Sequence, residues 1–147
     1  MSVINIFNHS PISDLIRKKE RNVKTYSEYS KIERINVIYI ELISKITEMS
    51  NAENAYYDAK DKLVRELPKV MRTENYDYGA ILTENVDDSI ETIKSIYNDS
   101  QKYIDELLQL TEISDFKFEK QYVFDYSENK AENTLFTALK LIEQYLN

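Results

Sequence analysis

The sequence predicts a mainly α fold: one domain over residues 1–147, built as a bundle of four to five helices, with at most a minor two-stranded β element. Three observations carry that expectation. Apolar residues recur at steps of three and four over long stretches, the spacing that puts them on one side of a helix. One glycine and two prolines in 147 residues cannot supply the turn signals that a sandwich or barrel needs about every 8–12 residues. One segment carries a continuous heptad pattern, which asks for a neighbouring helix at a shallow crossing angle.

The elements follow in chain order. Val3 to Phe7 is short and extended in character. Ser10 then caps a helix that Pro11 opens, since a missing N–H costs nothing in a first turn. Ile12, Leu15 and Ile16 share its apolar side, Arg17, Lys18, Lys19 and Arg21 face out, and the helix ends near Asn22 or Val23.

From about Thr25 a stripe of Tyr26, Tyr29, Ile32, Ile35, Ile38, Leu42, Ile46 and Met49 begins. Val37, Tyr39, Ile40 and Ile43 widen it, so the middle of this helix is expected to be buried on most sides. A second stripe follows through Ala52, Ala55, Tyr56, Ala59, Leu63, Leu67, Val70 and Met71. Ser50 with Glu53 three residues on resembles a capping box and predicts a break between the stripes. The stripes are nevertheless in phase, and one rod over about 25–67 is the alternative. Pro68 should kink or shorten the end by clashing with the carbonyl four residues earlier.

Thr73 to Gly79 reads as a loop. Beyond it Val86, Ile90, Ile93, Tyr97, Ser100, Ile104, Leu107 and Thr111 alternate at steps of four and three. On the other side of the same helix, at about 100° per residue, fall Glu84, Asp87, Asp88, Glu91, Asp99, Asp105 and Glu106. Residues 116–126 alternate aromatic with polar or charged side chains and could pair as strands, with each other or with residues 3–7. A final helix from about Glu128 presents Ala131, Leu135, Ala138, Ile142 and Tyr145 on its apolar side.

Charge is segregated along this order. The net charge is −7, yet residues 1–72 carry 13 basic and 10 acidic side chains whereas residues 73–147 carry 6 and 16. Such a gradient steers encounter with an oppositely charged partner. The acidity also argues against direct nucleic-acid binding by the basic cluster Arg17, Lys18, Lys19, Arg21, Lys24, Lys31 and Arg34. Those bases are expected to dock against the acidic helix of the same chain.

The chemistry that the residues exclude is as informative. No cysteine removes disulfides, thiolate nucleophiles and cysteine-ligated metals. His9 is the sole histidine and has no triad signature around it. No Glu-x-x-His pair suits a di-iron bundle, and no EF-hand loop is present. The carboxylate pairs Glu84 with Asp88 and Asp87 with Glu91 share one solvated surface, where nothing drives their acidities apart for acid–base work. No enzymatic activity, metal or cofactor is expected.

What remains is a surface. Tyr76 and Tyr78 beside Glu74 and Asp77, continuing into the acidic stripe, combine carboxylates with aromatic contact area. This is the composition suited to binding a basic patch. The predicted partner-binding residues are Glu74, Tyr76, Asp77, Tyr78, Glu84, Asp87, Asp88, Glu91, Asp99, Asp105 and Glu106. The predicted partner is a basic protein surface, of the kind that otherwise holds nucleic acid. That would make the chain an inhibitor, an immunity protein or an anti-defence regulator acting as a DNA mimic. The alternative is an assembly protein that pairs through its heptad seams as a homodimer or on partner helices. No signal peptide or membrane span is read, so the expected site is the cytoplasm, a host's if the source is viral. Abundant Ile, Asn, Lys, Tyr and Glu fit an AT-rich source such as a low-GC bacterium, phage or archaeal virus.

Overall fold

A computed structural model describes residues 11–113 and 130–147. These form four helices and no strand: α1 (Pro11–Asn22), α2 (Tyr26–Thr73), α3 (Tyr76–Thr111) and α4 (Lys130–Leu146). The mainly α expectation holds. His9 and the strand candidates 3–7 and 116–126 lie outside the described residues.

The frame is a hairpin of two long helices. α2 has 48 residues and α3 has 36, which at about 1.5 Å per residue gives lengths of about 72 and 54 Å. α1 packs on α2 and α4, while α4 packs on both helices of the hairpin. One core unites them, with Ile12 and Ile16 of α1, Ile35, Leu42, Ile46 and Met49 of α2, Ile93, Ile104 and Leu107 of α3, and Leu135, Leu141 and Ile142 of α4. Polar contacts also tie the layers. Ser13 and Tyr39 share a hydroxyl–hydroxyl bond of 3.2 Å, and the Lys31 ammonium sits 5.8 Å from the Tyr145 ring centroid.

Several expectations need correcting. α2 does not break at Ser50: it runs unbroken from its Thr25 cap, whose hydroxyl accepts the Glu28 N–H at 3.1 Å, to Thr73. Glu53, the supposed partner in a capping box, is instead buried in mid-helix, so continuity of the apolar stripe prevails over a local capping signal. Pro68 lies inside α2 without ending it. Its neighbourhood is exposed, and the Val64 carbonyl that loses an N–H partner has water available. Tyr26 and Tyr29 are exposed, Tyr26 at 85%, as are Val37 and Ile40. The buried side of α2 is therefore narrower than the run of apolar residues suggests.

The seam of α3 is internal. Ile93, Tyr97, Ser100, Ile104, Leu107 and Thr111 are buried, while Val86 and Ile90 are half-buried. Its two polar members satisfy their hydroxyls on their own helix, Ser100 donating to the Tyr97 carbonyl at 2.6 Å and Thr111 to that of Leu107 at 2.9 Å. They need no partner across the seam, so a polar residue can sit there at little cost. α4 begins at Lys130 and buries Leu139, Leu141 and Leu146 in addition to the expected Leu135, Ala138 and Ile142.

The predicted loop 73–79 is almost absent. α2 ends with Glu74 in a left-handed conformation, φ 56°, and Asn75 already caps α3, its side-chain oxygen accepting the Tyr78 N–H at 3.3 Å. Tyr76 to Gly79 form the first turn of α3. Gly79 lets the two helices approach there: a Cβ on it would stand 2.9 Å from Cγ1 of Val70.

Candidate functional site

The layers do not cover the hairpin evenly. α1 and α4, at about 18 and 25 Å, cannot line a 72 Å helix. Burial on α2 is dense from Ile32 to Tyr56 and then ceases except at Val70, and the tip half of α3 buries Leu82 alone before Ile93. Residues from about 57 to 73 and from 76 to 92 therefore form a two-helix arm beyond a four-helix head. On this arm Val64, Leu67 and Met71 are 62%, 47% and 61% exposed, in steps of three and four on one side of α2.

The predicted site residues fall on this frame as follows. Glu74 is the α2 cap, Tyr76 and Asp77 open α3 and are exposed, and Tyr78 is half-buried. Glu84, Asp87, Asp88, Glu91, Asp99 and Asp105 are all exposed along α3. Residues 76–92 contain five carboxylates and no lysine or arginine. Among the described residues Glu84, Asp87, Asp88 and Asp99 form no ion pair, whereas Glu91 has a contact of 3.5 Å with Lys94 one turn on.

Glu106 belongs elsewhere. It was expected on the outward acidic side, but it is half-buried where α3 meets α2 and receives a two-pronged bond from Arg34, Nη2 to Oε1 at 2.7 Å with Nε on the other oxygen. The Arg34 bond holds the Glu106 carboxyl below the ordinary carboxylate range, against the opposing effect of its own burial. Arg34 is raised by the same hydrogen bond. Of the basic cluster, Arg34 does dock on the acidic helix as anticipated. Arg17 instead approaches Asp14 of its own helix at 3.7 Å.

Sequence reading missed the apolar part of the site. A groove of about 510 Å³ runs along the arm between the helices, floored by Leu63, Leu67, Val70, Met71, Gly79, Ala80 and Thr83, with Tyr76 at its tip end and Glu84 and Asp87 along its α3 rim. By spacing alone Leu67 and Met71 belong to the same apolar stripe as the buried residues of α2. Helix-length arithmetic was the signal that could have exposed them: once α2 is continuous, neither α1 nor α4, packed in the head, is long enough to reach its far end as well.

Among the described residues no three histidine, cysteine or carboxylate side chains converge as a metal site, and no helix is long and apolar enough to cross a membrane. No protein-family model, no curated protein and no solved structure matches the chain.

Proposed function

We propose that this protein is a non-enzymatic docking module. It presents the acidic, tyrosine-bearing outward side of α3 to a basic surface on a partner protein, of the kind that otherwise contacts nucleic acid. The observation that supports this reading is the set of exposed carboxylates Glu84, Asp87, Asp88 and Asp99, which among the described residues form no ion pair. Within 84–91 four carboxylates are strung over about 10.5 Å of helix, one per about 3.5 Å. A single nucleic-acid strand carries one phosphate per about 3.4 Å. Over that short reach the helix thus offers a lysine- and arginine-lined surface a comparable axial charge density. Tyr76, exposed at the tip, adds contact area of low entropic cost.

Capture of partners from a source lysate, followed by kinetics on the eluted protein, tests this. Replacing Asp87, Asp88 and Glu91 together by serine should slow association about tenfold at low salt and much less at high salt, where charges beyond about 10 Å are screened. The melting temperature should stay nearly constant, because all three are exposed. An unchanged association rate would refute the reading.

The competing reading, an assembly protein, draws support from Val64, Leu67 and Met71 on the arm. The α3 seam offers it less, since those side chains already pack within the chain.

A further inference from the structure

From the arm groove we infer a binding site for one amphipathic helix of a partner, apolar on its buried side and lysine- or arginine-bearing along the edge that meets Glu84 and Asp87. The inference rests on the docking reading above and specifies which element of the partner is held.

The argument begins with continuity. On α2 the residues Ile32, Tyr39, Ile46, Glu53, Lys60 and Leu67 lie seven apart, in one column beside the α3 contact. The first four are buried, Lys60 is half-buried and Leu67 is exposed. On α3 the matching column runs from buried Thr111, Ile104 and Tyr97 through half-buried Ile90 to exposed Thr83 and Tyr76. Both columns are covered in the head and bare in the arm. The cover in the head is helical: α4 packs on both α2 and α3, with Tyr145 near its end held at Lys31 of α2. From that anchor, α4's length of about 25 Å reaches only to about the middle of α2. The groove is therefore the continuation of a surface already shaped for a helix lying across two others.

Local chemistry agrees. Ala80 and Thr83 are small and exposed and let a third backbone come close, while Leu63, Leu67 and Met71 give a row of apolar contacts at steps of four, the arrangement read by helix-in-groove binding. Among the described residues Glu84 and Asp87 on the rim form no ion pair, so a cation at that edge gains attraction without displacing a partner seen there.

A second copy of the chain fits less well. A twofold axis across the arm would lay α3 over α3 and set Glu84 and Asp87 against their own mates. An axis along the arm would bring the α1–α4 layers of the two heads together before the arms could meet.

The test uses the full chain and a synthetic 18-residue probe with leucines at steps of three and four and lysines along one edge. Its controls are the same peptide with two central prolines and a version with glutamates replacing the lysines. Fluorescence anisotropy should show the lysine helix binding at least about tenfold more tightly than either control. Leu67→Glu should weaken it about tenfold, and Met71→Glu, read alongside, covers the case that one variant fails to fold, as judged by circular dichroism. Glu84→Gln with Asp87→Asn should weaken it severalfold at low salt only.

If the proline peptide binds as well as the helix and Leu67→Glu changes nothing, while the Asp87, Asp88 and Glu91 serine variant lowers both, the groove inference is overturned and the acidic docking reading stands. If the glutamate-edged helix binds as well as the lysine one, the basic occupant fails together with that reading. A dimer in sedimentation that Leu67→Glu returns to monomer would make the occupant a second copy and overturn the inference.

Discussion

Gly79→Ala sets two quantifiable effects against each other. Within a helix, alanine is better than glycine by about 0.8–1.0 kcal/mol. At this position the new methyl would stand 2.9 Å from Val70 Cγ1, whereas carbon atoms settle at about 3.5–4.0 Å. Val70 is buried and β-branched, so its methyl cannot swing aside without leaving its one strongly preferred helical rotamer. The helices must part by a few tenths of an ångström to about 1 Å, and overpacking of that kind costs about 1–3 kcal/mol. The net expectation is a loss of up to about 2 kcal/mol. In a Val70→Ala background the offending methyl is gone, and the same substitution should become stabilising by close to its full propensity gain. Urea unfolding followed by circular dichroism on the wild type, both single variants and the double variant gives the coupling energy directly, expected at about 1–3 kcal/mol. Equal stabilisation by Gly79→Ala in both backgrounds would show that the tip is not closely packed and would refute the reasoning.

Two further outcomes are expected. Glu106→Gln should cost about 0.2–1 kcal/mol at neutral pH, because the pair with Arg34 is 44% and 34% exposed at its two side chains and is screened. The Glu106 carboxyl is lowered in the folded protein, so the pair's contribution is complete above the unfolded glutamate value of about 4.3. It is lost as pH falls through the lowered folded value, and acid titrations of wild type and variant should converge there. Glu74→Gly and Glu112→Gly should each raise stability by about 0.5–1 kcal/mol in thermal melts, since both residues end helices at φ 56° and 53°, where a side chain is strained and glycine is not.

The sequence disclosed what depends on repeated spacing. The α3 seam from Ile93 to Thr111 was legible because several residues report the same periodicity, and the α1 start because a proline is pre-set for a first helical turn. Other single-residue signals misled. Ser50 and Glu53 look like a helix start, yet a cap contributes about 1 kcal/mol, and the stripe running through Ile46, Met49, Ala52 and Tyr56 buries far more. Tyr26, Val37 and Ile40 fall on the apolar stripe by spacing, although only a neighbouring element decides burial, and among the described residues none lies over them. Glu106 occupies a helical angle that faces solvent in projection, but its length and that of Arg34 bring it back to the α2 interface. The acidic part of the site was visible, since like charge without a local counter-charge is a property of sequence. The groove beside it was not, because it arises from the unequal lengths of four helices.

That inequality has a mechanical consequence. Amide exchange and local melting follow the number of layers that hold a segment in place, and the outer third of the hairpin has one layer fewer than the rest. Its amides are therefore expected to exchange faster than those of the far end. Among the described residues, helix length alone sets which part of the hairpin is held from several sides and which is held only by its own two helices.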